Sequence, residues 1–318
     1  MFQDLDNNFF KYKIPKKLEG QKVKFSLYNE KDDYFVFTSV LTSLKNNVSI
    51  NFRVLESHFQ YKYKIQVLNE KKWVNYSPYK YIKVDFKDNN NIRYRLFLNN
   101  NSKHLMVGFQ GNGTKPSYNY TGSLSSLEVN RLYILDYYSE ETPNNGAYYL
   151  GKKRNLDYMN NVHLLIEKIK ESLDITNENV ILIGTSKGGF AAILYALKFG
   201  YRHCVVGSPT IYLGNSLIKE STSSRVYADF IAGGRTSDDI QWLNALIKTE
   251  ISKAKACKIN ILIGDKERRY RNHVIPFLED LNINEKIDVD LEVRDFEQHS
   301  LIGRIFPDYA LKKISSII

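Results

Sequence analysis

Cysteine is nearly absent: Cys204 and Cys257 are the two in 318 residues, and each sits inside a short apolar run. Thiols so placed read as buried and free, which argues against a disulfide framework, a thiolate metal site or redox chemistry. No apolar run reaches the roughly 18 residues that a membrane-spanning helix needs. The first residues, MFQDLDNNFFKYKIPKK, lack a basic segment leading into an apolar stretch of signal-peptide length. The expectation is a soluble, cytoplasmic protein with no stable membrane insertion. Blocks of five or six basic residues are also missing, although the net charge is +10. Lysine is instead scattered among abundant Asn, Ile and Tyr, as an AT-rich coding bias produces, so no nucleic-acid partner is expected. An anionic polysaccharide remains compatible with the charge. The densest cationic stretch is GDKERRYRNH, residues 264 to 273. Neither the phosphate-cradling pattern G-x-x-x-x-G-K-[ST] nor the dinucleotide pattern G-x-G-x-x-G fits the glycine-rich turn near residue 186.

What is present is ample for a core, with 43% hydrophobic and 13% aromatic residues. Between residues 20 and 100 the segments KVKFSLY, YFVFTSV, VSINFRVL, YKYKIQVL, YKYIKVDF and IRYRLFL alternate apolar and polar residues between turn signals. That pattern predicts a small antiparallel β domain over residues 1–100. Its aromatics could line a sugar-binding face or fill its interior. From residue 104 the rhythm changes. HLMVGFQG, RLYILDYY, NVILIG, HCVVGSP, KINILIG and DVDLEVRDF are strand-length apolar runs with helical patterns between them. One such pattern places Tyr158, Val162, Leu165, Ile166, Ile169 and Leu173 on one helix face. HVIPFLEDL and PDYALKKISSII are shorter helix candidates. The alternation predicts an α/β domain over residues 101–318, a mostly parallel sheet with helices on both faces.

The run VILIGTSKGGFAAILYAL, residues 180 to 197, contains G-x-S-x-G as Gly184, Thr185, Ser186, Lys187 and Gly188. A strand that reverses sharply into a helix strains the residue at its tip, and side chains two positions to either side would collide. Glycines at 184 and 188 remove the collision and leave the Ser186 hydroxyl exposed as a candidate nucleophile. The backbone N–H of Lys187 then points where an oxyanion forms. A bland reading, in which Ser186 only caps the helix, stays open.

A serine nucleophile needs a base and an acid to orient it, in the chain order Ser, acid, His. His58, His104, His163 and His203 precede that position, and His273 lies in a helical stretch directly after a strand, so all five read as surface or packing residues. His299, in the polar loop EQHSLIG after the last strand, is the expected base. Asp265, directly after the run KINILIG, is the expected acid, with Glu267, Asp295 and Glu297 as competitors. The second oxyanion donor is expected in the glycine-rich loop after HLMVGFQG, at the N–H of Phe109 or Gln110. No metal is expected.

The motifs VILIGTSKGGFAAILYAL, ILIGDKE and FEQHS, in that order, resemble the α/β-hydrolase superfamily over residues 104 to 318. With YYLGKKRNLDY and the β-rich front, the chain looks similar to capsular polysaccharide biosynthesis proteins of the XcbB/CpsF type. It is similar more distantly to the glycan O-acetylating component of accessory Sec systems. The resemblance implies Ser186, His299 and Asp265 as a triad and a serine-dependent O-acetyltransferase or acetylesterase acting on a carbohydrate. It also implies acetyl-CoA as a candidate acyl donor and no other cofactor. The chain departs from the larger enzymes in two ways. The first antiparallel strands of the full sheet are missing unless the β domain supplies them, and residues 212 to 239 form a polar insertion where such folds often carry a lid. The alternative function is a non-catalytic, hydrolase-like scaffold in a capsule or export assembly.

Overall fold

The computed structural model describes residues 3–4, 9–13, 15–29, 35–41, 47–51, 61–82, 86–99, 101–113 and 115–318. The chain divides into two compact units, Met1–Phe86 with Arg95–Leu98, and Lys87–Tyr94 with Asn99–Ile318. His58 and the end of the run VSINFRVL lie outside the described residues.

The first unit carries β1 (Gln3–Asp4), β2 (Phe9–Lys13), β3 (Val23–Asn29), β4 (Phe35–Leu41), β5 (Asn47–Asn51), β6 (Tyr61–Asn69), β7 (Lys72–Asn75) and β8 (Lys80–Ile82). Two sheets form, ordered β1-β2-β5 and β4-β3-β6-β7 with β8 also on β6. The pairings are antiparallel, and the period-two patterning sets their register. Phe25 pairs with Ile65 and Leu27 with Tyr63, so one face of β3 and β6 is apolar and buried. The Phe25 and Tyr63 rings stack at 5.0 Å. The other face is basic and aromatic, with Lys24 over Trp73 and Lys64 over Tyr28. The aromatics of this unit therefore serve both the interior and the surface.

Two short strands, β9 (Phe86–Lys87) and β10 (Arg93–Phe97), precede the elements of the second unit. Those are β11 (Leu105–Phe109), β12 (Asn130–Leu135), α1 (Asp157–Ser172), β13 (Val180–Thr185), α2 (Lys187–Phe199), β14 (His203–Gly207), α3 (Arg225–Ile231), α4 (Ser237–Ile251), β15 (Cys257–Gly264), α5 (Ile275–Leu281), β16 (Ile287–Arg294) and α6 (Ile302–Ser315). The sheet order is β16-β15-β14-β13-β11-β12-β10-β9, and from β16 to β12 every pairing is parallel. This is an α/β-hydrolase-type sheet.

Every residue of β11 and β13 is buried, which requires cover on both faces of the sheet. At the edge, β16 alternates Val and Leu with Asp and Glu, and Lys313 holds Asp290 at 2.7 Å. Helix α2 is buried from Lys187 to Leu197 and ends at Gly200 in the left-handed region, φ 73°. Such all-round apolarity belongs to a core helix. Helix α1 buries Tyr158, Val162, Leu165, Ile166 and Ile169 as its 3.6-residue periodicity predicts. Helix α6 begins five residues before Pro307, which therefore sits inside it and deletes the hydrogen bond to the Gly303 carbonyl. The insertion expected as a polar lid is instead packed down, burying Leu213, Leu217, Tyr227, Phe230 and Ile231. Its apolar residues recur at helical spacing beneath a polar surface, which composition alone conceals.

Between β11 and β12 the chain steps to one side of the sheet, and it then returns to the other side of β11 as β13. Loops leaving the carboxyl ends of β11 and β13 part there, at the usual ligand position in open α/β sheets. The start of α6 closes on the same end. A Cβ added at Gly207 would lie 2.7 Å from Phe306, 2.9 Å from Ile302 and 2.9 Å from Thr185. Gly207→Ala is expected to cost about 1–3 kcal/mol by overpacking, read as a lowered urea midpoint with an unchanged slope.

Candidate functional site

Ser186 occupies the turn between β13 and α2 with φ 54° and ψ −115°, a region that non-glycine residues rarely adopt. Three hydrogen bonds hold it there. Its N–H donates to the Gly207 carbonyl at 3.0 Å, and its carbonyl accepts from Phe190 and Thr210, each at 3.1 Å. A Cβ at Gly184 would run into the Gly188 backbone, and one at Gly188 into the Phe109 carbonyl. The glycine spacing is thus demanded by backbone contacts on both sides of the serine. Ser186 Oγ has no hydrogen-bond partner among the described residues, and it is not sealed from solvent.

His299 starts a single turn of 3₁₀ helix that runs into α6. Its Nδ1 lies 2.7 Å from Glu267 Oε1. Glu267 is buried, and its other oxygen accepts from Ser208 Oγ and, at 3.3 Å, from the Gly264 N–H. Burial raises the carboxyl pKa, but the hydrogen bonds from His299 and Ser208 outweigh that and hold it below the ordinary glutamate value. An ionised carboxylate only accepts, so Nδ1 carries the proton, and in the neutral ring Nε2 keeps the lone pair that a general base requires. The His299 side chain is 35% exposed, leaving it open to a reactant.

These groups converge on the Ser186 turn. Ser208, which donates to Glu267, directly follows Gly207, which accepts from the Ser186 N–H. Ile302, three residues after His299, packs where Gly207 and Thr185 meet. A Cβ at Gly264 would strike the Phe296 carbonyl, so the ends of β15 and of β16 are pressed together. That contact presents the loop carrying His299 to the turn carrying Glu267.

The acid expected at Asp265 is not what meets the imidazole. Asp265 is exposed, and its N–H is spent on the Arg294 carbonyl at 2.9 Å. The Glu267 N–H donates to the Gly264 carbonyl at 3.2 Å, folding the turn back so that residue 267 points inward. Asp295 and Glu297 are exposed, and Asp295 holds Lys266 at 2.6 Å. Of the other histidines, His163 stacks on Phe199 at 3.8 Å and His273 is fully buried, accepting from the Tyr212 N–H at 3.1 Å. Cys204 and Cys257 are buried and unbonded, and burial pushes the Cys257 thiol up to about 12.

The candidate oxyanion donors are redistributed. The Gln110 N–H donates to the Tyr149 hydroxyl at 2.6 Å and is unavailable. Phe109 is enclosed between β12 and β13, its ring packed on Tyr149 and Tyr195. The Gly111 N–H donates to Asn119 Oδ1 at 2.9 Å, and a Cβ there would lie 3.3 Å from the Thr185 carbonyl. Asn112 is next, exposed, and its N–H has no partner among the described residues. The Lys187 N–H, first in α2, is one of the donors that a helix start leaves unpaired.

The Lys187 side chain was not legible from the motif. It is buried and pairs with Asp136 Oδ2 at 2.8 Å. Asp136, fully buried at the end of β12, also accepts from the N–H groups of Ala147 (3.0 Å), Tyr148 (2.9 Å) and Tyr149 (3.4 Å). Tyr148 and Tyr149 have φ 54° and 58°, so the carboxylate sits in a concave row of amides whose strain its charge offsets. Tyr149 then binds the Gln110 N–H, while Gln110 Oε1 accepts from the Asp136 N–H at 3.2 Å. One buried network therefore fixes both the residue after Ser186 and the loop after β11. Among the described residues, no cluster of three His, Cys, Asp or Glu side chains is arranged for a metal. Nor is any helix among them long and apolar enough to cross a membrane.

No protein-family model and no curated protein matches the sequence. Solved structures do match the fold. A capsule O-acetyltransferase of Neisseria meningitidis serogroup A superposes with a TM-score of 0.61 at 20% identity, covering 72% of this chain and 93% of that one. A chain of the Glycosylation Associate Protein (Gap123) complex from Streptococcus agalactiae has a TM-score of 0.59 at 14% identity. That match covers 96% of this chain and 63% of the other. FphF, a fluorophosphonate-binding serine hydrolase of Staphylococcus aureus, gives 0.51 at 15% identity, covering 75% and 99%. The likeness establishes the α/β-hydrolase fold.

Lys187→Met leaves the Asp136 charge buried without its cation, and is expected to cost about 3–5 kcal/mol in urea unfolding. Lys187→Met with Asp136→Leu recovers part of that loss. A carboxylate held below its ordinary value adds stability above the unfolded glutamate pKa, and that stability is lost as pH falls through the lowered value. Glu267→Gln should therefore flatten the acid limb of the urea midpoint plotted against pH.

Proposed function

We propose that the chain is a serine-dependent acyl-transfer enzyme that O-acetylates a carbohydrate. Ser186 Oγ attacks the carbonyl of an acetyl ester or thioester while His299 Nε2 takes the hydroxyl proton. Glu267, in place of the aspartate expected from the sequence, keeps the imidazole in the Nδ1–H tautomer and offsets the positive charge it gains. The N–H groups of Lys187 and Asn112 receive the oxyanion. The leaving alcohol or thiol takes the proton from His299, and a sugar hydroxyl then attacks the acyl-enzyme through the same imidazole. Water in place of the sugar gives the acetylesterase outcome.

The observation that carries this reading is the 2.7 Å contact between Glu267 and His299, built on the turn that holds Ser186 strained with its hydroxyl unpartnered among the described residues. The tilt toward O-acetyl transfer rests on the fold neighbours. One is a capsule O-acetyltransferase, and a variant of that protein was solved in complex with CoA, which supports acetyl-CoA as the donor here. Two buried, unbonded thiols suit a reducing compartment and support the cytoplasm as the place of reaction.

Fluorophosphonate labelling followed by peptide mass spectrometry tests the proposal. The adduct should sit on Ser186 and disappear in Ser186→Ala, with p-nitrophenyl acetate turnover lost in parallel. Glu267→Gln should lower kcat by about 10²–10⁴-fold, as loss of a histidine-orienting acid does, whereas Asp265→Asn should stay within about twofold. Labelling that persists in Ser186→Ala, or equal effects at 265 and 267, would overturn the assignment.

A further inference from the structure

The cationic stretch at residues 264 to 273 is not one solvated face. Lys266 pairs with the exposed Asp295 at 2.6 Å, Arg268 lies 3.8 Å from Glu220, and Arg271 is exposed. Arg269 alone among these four turns inward. It is half-buried, and its Nε donates to Thr210 Oγ1 at 3.2 Å. Thr210 in turn donates its N–H to the Ser186 carbonyl at 3.1 Å. Arg269 is therefore one residue removed from the nucleophile turn. Its terminal nitrogens make no hydrogen bond or ion pair among the described residues, and they are not sealed from solvent. The Glu267 and Glu220 carboxylates, the Tyr148 hydroxyl and the Arg268 cation are near enough to act on its charge, and Tyr148 accepts from Asn112 Nδ2 at 3.2 Å.

Withdrawing a guanidinium from water without a hydrogen-bonded anion is costly, and the cation does not escape by losing its proton. Burial lowers its pKa, outweighing the longer-range attraction of Glu267 and Glu220, neither of which its terminal nitrogens bond. An arginine kept there for its aliphatic stem would let its head swing out to water. Thr210 instead pins Nε inward, leaving the two terminal nitrogens as an open fork.

We propose that Arg269 is an anion-recognition residue of this site, its fork receiving a carboxylate or phosphate group of the substrate beside the acyl group held at Ser186. The proposal rests on the acyl-transfer reading only in placing that anion on a substrate. Its chemistry is that of a planar donor pair meeting two coplanar oxygens, which a lysine does not reproduce. Such an anion has two sources, the phosphates of a nucleotide-linked acyl donor or the acid groups of a glycan acceptor.

Equilibrium calorimetry on the full chain separates them without any need for turnover. The donor arm compares CoA with pantetheine, and the acceptor arm compares trigalacturonate with maltotriose. Wild type should bind the anionic member of at least one pair tenfold or more tightly, and Arg269→Gln should abolish that preference. Arg269→Lys and Thr210→Val should each lose part of it, which keeps the test decisive if the glutamine variant does not fold. Whichever arm responds names the source. The proposal is overturned if neither anion is preferred by wild type, or if the preference survives in Arg269→Gln. Absent Ser186-dependent turnover with the preference intact would sink the acyl-transfer reading and leave Arg269 as an anion site.

Discussion

Everything at this end of the sheet is tied to the carboxylate of Glu267. It is buried, ionised, and accepts three hydrogen bonds, from the His299 imidazole, the Ser208 hydroxyl and the Gly264 amide. Those donors come from the loop before α6, the residue after β14 and the end of β15. A buried charge tolerates no lost partner cheaply, so the three segments are held in a fixed mutual arrangement. Ser186 joins it through Gly207, the neighbour of Ser208. Electrostatics and backbone geometry therefore specify one constellation together: the strained turn sets where the hydroxyl stands, and the carboxylate sets which imidazole nitrogen carries the proton.

A buried charge pair secures the other side of the Ser186 turn. Lys187 and Asp136 link the first residue of α2 to the left-handed pair Tyr148 and Tyr149, and Tyr149 holds the amide of Gln110. The consequence is that, among the described residues of the loop after β11, the amides of Gln110 and Gly111 are bonded and that of Asn112 has no partner. Aromatic hydroxyls do much of this work. Tyr120 bonds Thr185 at 2.9 Å, and Tyr195 bonds the Tyr149 carbonyl at 3.0 Å. The high tyrosine content of the chain is thus spent partly on buried polar connections that phenylalanine could not make.

Much of the fold was legible because it rests on local periodicity. The six parallel strands were visible as apolar runs, α1 as a 3.6-residue stripe, and the Ser186 turn as glycines whose absent side chains are required by contacts on both sides. The site was less legible where it depends on how a turn folds. Asp265 and Glu267 differ by two positions, and only the hydrogen bond from the Glu267 amide back to Gly264 decides which of them faces inward. Gln110 looked like an oxyanion donor because nothing in its own loop announces Tyr149, 39 residues away. Asp136 and the inward turn of Arg269 were hidden for the same reason, since their partners are distant in sequence.

The central claim is that Glu267 holds His299 as the Nδ1–H tautomer with Nε2 free for Ser186. Nitrogen-15 NMR of the histidine side chains, at a pH where the rings are neutral, measures this directly. A protonated Nδ1 and an unprotonated Nε2 are expected for His299, with that assignment lost in Glu267→Gln. A His299 signal showing the proton on Nε2 in the wild-type protein would contradict it.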